Sequence, residues 1–253
     1  MLCKPTRKLK QLRRFMMLRL KVLRQYPISR IAVLVFLLIL VGVGAIPGYL
    51  TGRWSWASLP PVTTLPQLRS LHEKGLTLPG WQSNLHRDVQ IGGHRWLVQQ
   101  ILRDRQVVAI LLLLPQNGPK DKPQVEWMDI NGFHRWQTDS DRILRFTINT
   151  TTVTNKQTAI AVEAQFFRGW NQQQTFAVLE WYAWPKGGSP VPIHWFWQDR
   201  IAQLSRHRVP WVAVSLLLPI EPLGDIEPSR PLATTLGQTI QTSLISSALS
   251  LQN

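Results

Sequence analysis

The sequence predicts an α+β protein: a single N-terminal transmembrane helix, then a curved antiparallel β-sheet domain with helices packed on one side. Three observations predict it. Residues 31–50 read IAVLVFLLILVGVGAIPGYL, twenty residues without a charge, and a helix of that length rises about 30 Å, roughly one hydrocarbon core. Beyond residue 80 the chain breaks into strand-like runs joined by short connections such as Gly92-Gly93 and Arg103-Asp104-Arg105, which suit antiparallel neighbours. Amphipathic stretches at residues 64–73, 192–206 and 231–251 supply the covering helices.

The elements follow in order. Residues 1–30 hold ten Lys and Arg and no acid, so the positive-inside rule leaves this basic tail in the cytoplasm and places the domain on the far, periplasmic side of the plasma (inner) membrane. Within the tail, Leu9, Leu12, Met16, Leu20 and Leu23 recur at helical steps between basic residues, as in a helix lying on an anionic leaflet. Thirteen of the twenty residues in the span are Ile, Val, Leu or Phe, a gross insertion gain of about 4 to 8 kcal/mol. Ile31, Leu37, Leu40 and Leu50 are its expected anchor residues, the lipid bilayer is its expected partner, and Trp54 and Trp56 suit the interfacial belt. A cleaved signal peptide competes, since Val43-Gly44-Ala45 offers small residues, but the apolar run exceeds the usual h-region. The formal charge of +15 owes most to the tail, so nucleic acid is not an expected partner.

Residues 51–66 read as a linker and 67–253 as one domain. Its stability rests on packing, because the only cysteine is Cys3, whereas all twelve Trp lie beyond residue 53. Thr64 caps a helix through about Glu73, with Pro66 in its first turn and Gly75 at its end. Leu85 to Ile91, Arg95 to Leu102 and Gln106 to Leu114 form a meander, and Gln124 to Ile130 adds a strand before an Asn131-Gly132 turn. Ile143 to Thr150, Ala159 to Arg168 and Thr175 to Trp184 are three more strands. Pro192 to Arg206 is a helix with Trp195, Ile201 and Leu204 near one face, Trp211 to Leu218 a returning strand, and Pro231 to Leu251 a closing helix.

The chain contains no P-loop, GxGxxG, HExxH, GxSxG or CxxC, and no two histidines stand at the spacing of a helical metal site, so no cofactor and no metal are expected. The densest polar cluster is Glu126, Asp129, Asn131, Asp139 and Asp141 around Gly132 and Trp136. Its oxygens suit a cation or a partner-binding loop, and a solvated turn accounts for them equally well. His94 and His134 are expected in surface loops. Trp181, Trp184, Trp195 and Trp197 offer either core packing or an aromatic face for a glycan or peptide.

LEWYAWPKGG (Leu179–Gly188) followed by WFWQDRIAQLSRHRVPWVAVSLLLPIEP (Trp195–Pro222) resembles the C-terminal half of the exosortase-associated periplasmic domain. LTLPGW (Leu76–Trp81) and IGGHRW (Ile91–Trp96) are similar to the opening of the cyanoexosortase B system-associated proteins. The resemblance implies a membrane-anchored, non-catalytic accessory of a cyanobacterial system that sorts proteins bearing C-terminal Pro-Glu-Pro-type signals. Its implied partners are the membrane exosortase or the envelope polysaccharide machinery. It does not imply the peptidase, a multi-span protein with a Cys nucleophile. The family often carries a His-Pro and Cys motif before a Gly-Trp; here Asp129-Ile130-Asn131-Gly132-Phe133-His134 occupies that neighbourhood without the thiol. Two functions follow as expectations: an accessory that binds through Asp129, Asn131, His134, Trp136 and the Trp-rich face, or an envelope hydrolase or transferase using Asp129, His134 and Asp139 as acid and base.

Overall fold

The computed structural model describes residues 28–51, 59–124, 126–151 and 157–250. Residues 1–27 of the basic tail, with Cys3, and Trp54 and Trp56 lie outside the described residues. Residues 1–58 and 59–253 form two separate units.

In the first unit, α1 runs Ile28–Thr51. Its side chains are described from Arg30 to Gly44 and at Ile46. Among the described residues no helix is long and apolar enough to cross a membrane. This corrects the expected single-pass anchor and the inner-membrane placement built on it. Ile31, Leu37 and Leu40 are exposed apolar residues of α1, and the side chain of Leu50 lies outside the described residues.

The second unit is built on eight strands: β1 (Gln82–Ile91), β2 (His94–Arg103), β3 (Gln106–Pro115), β4 (Gln137–Thr151), β5 (Gln157–Trp170), β6 (Thr175–Trp184), β7 (Gly187–Ser189) and β8 (Val212–Ile220). They form one sheet in the order β1-β2-β3-β8-β6-β7-β5-β4, with β6 also paired directly to β5. The sheet is mixed, not purely antiparallel. β5 and β6 pair only as far as Gln165 and Glu180; beyond that point they diverge, and β7 folds back from β6 to bridge Val162 in parallel through Gly188. Only glycine fits there, because a Cβ on Gly188 would lie 2.7 Å from Val162 Cγ1 and 2.9 Å from Trp181 Cδ1.

Among the described residues the second unit adds α2 (Leu65–Lys74), α3 (Glu126–His134), α4 (Pro192–Leu204) and α5 (Arg230–Leu244), the last running into a π-helical turn at Ile245–Leu249. The helices of the second unit cover both faces of the sheet, which corrects the expected one-sided packing. On one face Leu179, Trp181, Val214 and Leu216 pack with Leu68 and Leu71 of α2 and Leu236, Ile240 and Leu244 of α5. On the other, Trp96, Tyr182, Trp184 and Leu217 pack with Trp127 and Ile130 of α3 and Trp195 of α4. All ten residues of β6 are buried. A strand that is apolar on both pleat faces requires cover on both.

Three local expectations also change. Residues 126–130 of the expected strand are helical, and Asn131-Gly132 is not a turn; both belong to α3, whose Trp127 and Ile130 reach the core from one helical face. The α2 start lacks its side-chain cap: Leu68 N–H bonds the Thr64 carbonyl at 3.0 Å, while the buried Thr64 hydroxyl has no partner among the described residues. In α4 the inward residues are Trp195 and Asp199, while Ile201 and Leu204 face out. Asp199 is tolerated inside because Arg208 meets it at 2.7 Å, with the two side chains 4 % and 2 % exposed. Its carboxylate also accepts the Val209 N–H and the Gln203 amide, so the buried charge is fully partnered.

Candidate functional site

Asp129, His134 and Asp139, the expected acid–base trio, share no hydrogen bond or ion pair among the described residues. Asp139, near the start of β4, is held by Arg168 of β5, whose Nε donates to Oδ1 at 2.8 Å. That guanidinium keeps the Asp139 carboxyl below the usual carboxylate range. Arg168 Nη2 donates to Oδ2 at 2.5 Å, and its Nη1 reaches the carbonyls of Leu223 and Gly224 at 2.8 and 3.0 Å, so the pair is a clamp between strand and loop. Asp129 lies on α3 against the β1–β2 turn, so close that a Cβ on Gly92 (φ +56°) would sit 2.0 Å from its Cγ. His134 is a half-buried helix residue, not a surface loop residue. Its ring stacks on Trp136 at 4.4 Å, its Nε2 has no partner among the described residues, and burial pushes its pKa down.

Asn131 and Trp136 serve the same corner. The Asn131 carbonyl accepts the Trp136 N–H at 3.0 Å, while Asn131 Oδ1 and Trp136 Nε1 are buried without partners among the described residues. The Trp136 ring fills the space beside Gly169.

The Trp-rich stretch does not form one exposed face. Trp181 is fully buried and donates to Gln241 Oε1 at 2.8 Å. Trp184 is buried in the aromatic face, and Trp195 donates to the Val209 carbonyl at 3.1 Å. Trp197 alone of the four is open, at 60 % exposure. It belongs to an outward stripe of α4 with Ile193, Ile201 and Leu204, spaced i, i+4, i+8 and i+11 on one helical face. That spacing was readable in the sequence, but nothing in periodicity alone says which apolar face points inward when Asp199 competes for the core.

Two of the clefts among the described residues hold about 710 and 650 Å³. The larger lies between α2, the β1–β2 turn and the segment after β3. Its polar groups largely satisfy one another: His72 Nδ1 meets Asp88 at 2.7 Å, Arg69 donates to the Asn117 carbonyl, and Asp121 accepts the Asn117 N–H. The Glu126 carboxylate takes the Gln124 N–H and the Tyr182 hydroxyl. The second cleft, about 650 Å³, opens beside the end of α3 and the β5–β6 turn, and His134 is the one expected site residue on its wall. Phe133, Arg135, Trp170 and the Gln172–Gln174 run also line it. These residues were missed; the available signal was an uninterrupted amide run, NQQQ, between two strands.

Ser189 Oγ and His194 Nδ1 lie 2.7 Å apart, within the hydrogen-bond reach that a nucleophile and its base require. Ser189 is only 2 % exposed, and its hydroxyl accepts the Val191 N–H at 3.2 Å at the start of α4, which makes it a local brace. Among the described residues no group of three or more His, Cys, Asp or Glu is placed to hold a metal ion. The chain matches no family model, no curated protein and no solved structure.

Proposed function

We propose that this chain is a non-catalytic accessory protein of an exosortase-type system for protein sorting and exopolysaccharide assembly, and that it docks on a protein partner through α4. The observation that carries the reading is the outward stripe of Ile193, Trp197, Ile201 and Leu204, exposed by 48, 60, 63 and 86 %. Burying such side chains is worth about 1.5 to 3 kcal/mol each, and four on one helical face suit insertion into an apolar groove. The charges beside the stripe favour an acidic rim on that groove: Arg200 and Arg206 are exposed, whereas Asp199 is turned inward onto Arg208. Two copies of this helix would bring like charges together. The stripe also lies inside Trp195–Pro222, one of the stretches that carry the family resemblance, except for Ile193 just before it. Against catalysis stands the engagement of Asp129 and His134 in packing and of Asp139 in an ion pair.

The test is co-purification of the tagged full chain with the exosortase it is proposed to serve. Trp197→Ala combined with Leu204→Ser is expected to lower recovery of the enzyme about tenfold, with more retained in low salt. Asp129→Asn combined with His134→Gln is expected to leave both recovery and sorting unchanged. Loss of sorting in the second variant, with normal expression and recovery, would favour the hydrolase or transferase.

A further inference from the structure

We propose that the cleft beside the end of α3 and the β5–β6 turn is a binding site for neutral oligosaccharides. This goes beyond the accessory reading and does not depend on it. Its volume of about 650 Å³ falls within the roughly 300 to 1,000 Å³ of small-molecule sites.

The chemistry of the wall decides the ligand class. Gln137, Asn171, Gln172, Gln173 and Gln174 supply amides, Phe133 and Trp170 supply aromatic rings, and neither a carboxylate nor an aliphatic side chain is among the lining residues. A sugar ring presents hydroxyls that both donate and accept, and a face of C–H groups. Amides both donate and accept, and an aromatic ring covers an apolar face. A metal ion would find no carboxylate here, and nucleic acid would find a single guanidinium, that of Arg135, for its phosphates. An apolar ligand would meet mostly amides.

The site is built before any ligand arrives. Asn171 Nδ2 donates to the His134 carbonyl at 2.9 Å, and its Oδ1 accepts the N–H groups of Gln173 and Gln174, each at 2.9 Å. One side chain thus fastens the glutamine turn to the end of α3. The Arg168 guanidinium sits 5.4 Å from the Trp170 ring centroid and is itself fixed by Asp139 and two carbonyls, so the ring's position is set by a clamp that takes no part in binding. The working groups remain free. Phe133 is 53 % exposed, and the side chains of Gln172, Gln173 and Gln174 are exposed and make no hydrogen bond among the described residues. His134, half-buried on the same wall, is favoured in its neutral form by burial, which suits the cleft to an uncharged ligand.

The experiment is calorimetric titration of the full chain, in glycerol-free buffer, with cellotetraose, maltotetraose, chitotetraose and a hyaluronan tetrasaccharide. At least one neutral tetrasaccharide is expected to bind, and Trp170→Ala and the double change Gln172→Ala/Gln174→Ala are each expected to weaken it about tenfold. The glutamines are exposed, so the double variant should melt like the parent and separates lost binding from lost folding. Trp197→Ala on α4 should bind sugar as the parent does. The proposal is overturned if no neutral tetrasaccharide binds at about 10 mM, if the acidic hyaluronan fragment binds more tightly than the neutral ones, or if affinity survives both the tryptophan and the glutamine changes.

Discussion

The two faces of the sheet are built to different standards. The face under α2 and α5 is largely aliphatic, and the buried polar groups against the strands find partners. Trp181 donates to Gln241, Gln241 donates to the carbonyls of Trp184 and Gly187, and Gln99 bonds both the N–H and the carbonyl of Leu76. Among the described residues, Thr64 and Gln67 at the start of α2 keep unpartnered atoms there, and Gln116 Oε1, just after β3, is another. The face under α3 and α4 is aromatic, with Trp96, Trp127, Tyr182, Trp184, Trp195 and Trp211. It leaves buried polar atoms of His94, Trp96, Asn131, His134 and Trp136 without partners among the described residues. Each such atom costs about 1 to 3 kcal/mol. The second face thus holds more of the unpartnered atoms, alongside both proposed binding surfaces, the α4 stripe and the amide-lined cleft.

The largest effect that would sharpen this contrast comes from Glu180, on the aromatic face. It is fully buried with one partner, Ser215 Oγ at 2.9 Å, and burial pushes its pKa up from 4.5 to about 8. The native state therefore holds a proton that the unfolded chain releases above about pH 4.5. Stability is greatest below that pH and is lost as pH rises toward 8, by about 3 kcal/mol between pH 4.5 and 7. Glu180→Gln, neutral at every pH, is expected to flatten that decline in urea unfolding; an unchanged slope would show that the carboxyl ionises freely in the fold.

A second pair of variants compares the faces directly. Trp181 and Trp96 are both fully buried, but only Trp181 has an indole partner. Trp181→Phe removes ring volume and leaves Gln241 Oε1 unpaired, at a cost of about 3 kcal/mol. Trp96→Phe removes similar volume together with an unpartnered donor, and is expected to cost about 1 kcal/mol. Equal losses of stability in chemical denaturation would erase the difference between the faces.

The smallest effect is that of His134. Its folded pKa lies below the usual 6.5 because burial penalises the charged ring, so the unfolded chain takes up a proton first as pH falls. Stability is lost as pH drops below about 6.5, opposite in sign to the Glu180 slope. His134→Gln is expected to remove this acid-side decline, measured by melting between pH 7 and 5.

Much of the architecture was legible because strands of this protein are either alternating or continuously apolar. Val107 to Leu114 and Thr175 to Trp184 announce buried strands. The same unbroken character of β6 and of Val212 to Leu218 also signals burial on both sides, and thus a second helical layer. α3 was not legible. EWMDINGFH combines Asn-Gly with a weak apolar pattern, and it is helical because Trp127 and Ile130 reach one aromatic core while Glu126 is tied to Gln124 and Tyr182. The candidate site was legible only at His134. Phe133 and Trp170 meet because β4 and β5 pair Gln137 with Trp170, a juxtaposition between segments more than thirty residues apart.

The sequence by itself determined where most strands of the domain run and which residue types it had to bury, because hydrophobic periodicity is a local property of the chain. It also excluded a thiol-dependent mechanism for the domain beyond residue 58, since Cys3 is the only cysteine. Tertiary structure decided which tryptophans are hidden, that Asp199 and not Ile201 faces inward, which helices lie on which side of the sheet, and which contacts engage Asp129, His134 and Asp139. Those outcomes depend on the pairing of distant segments, where burial and hydrogen-bond satisfaction are settled jointly and no local pattern records the result.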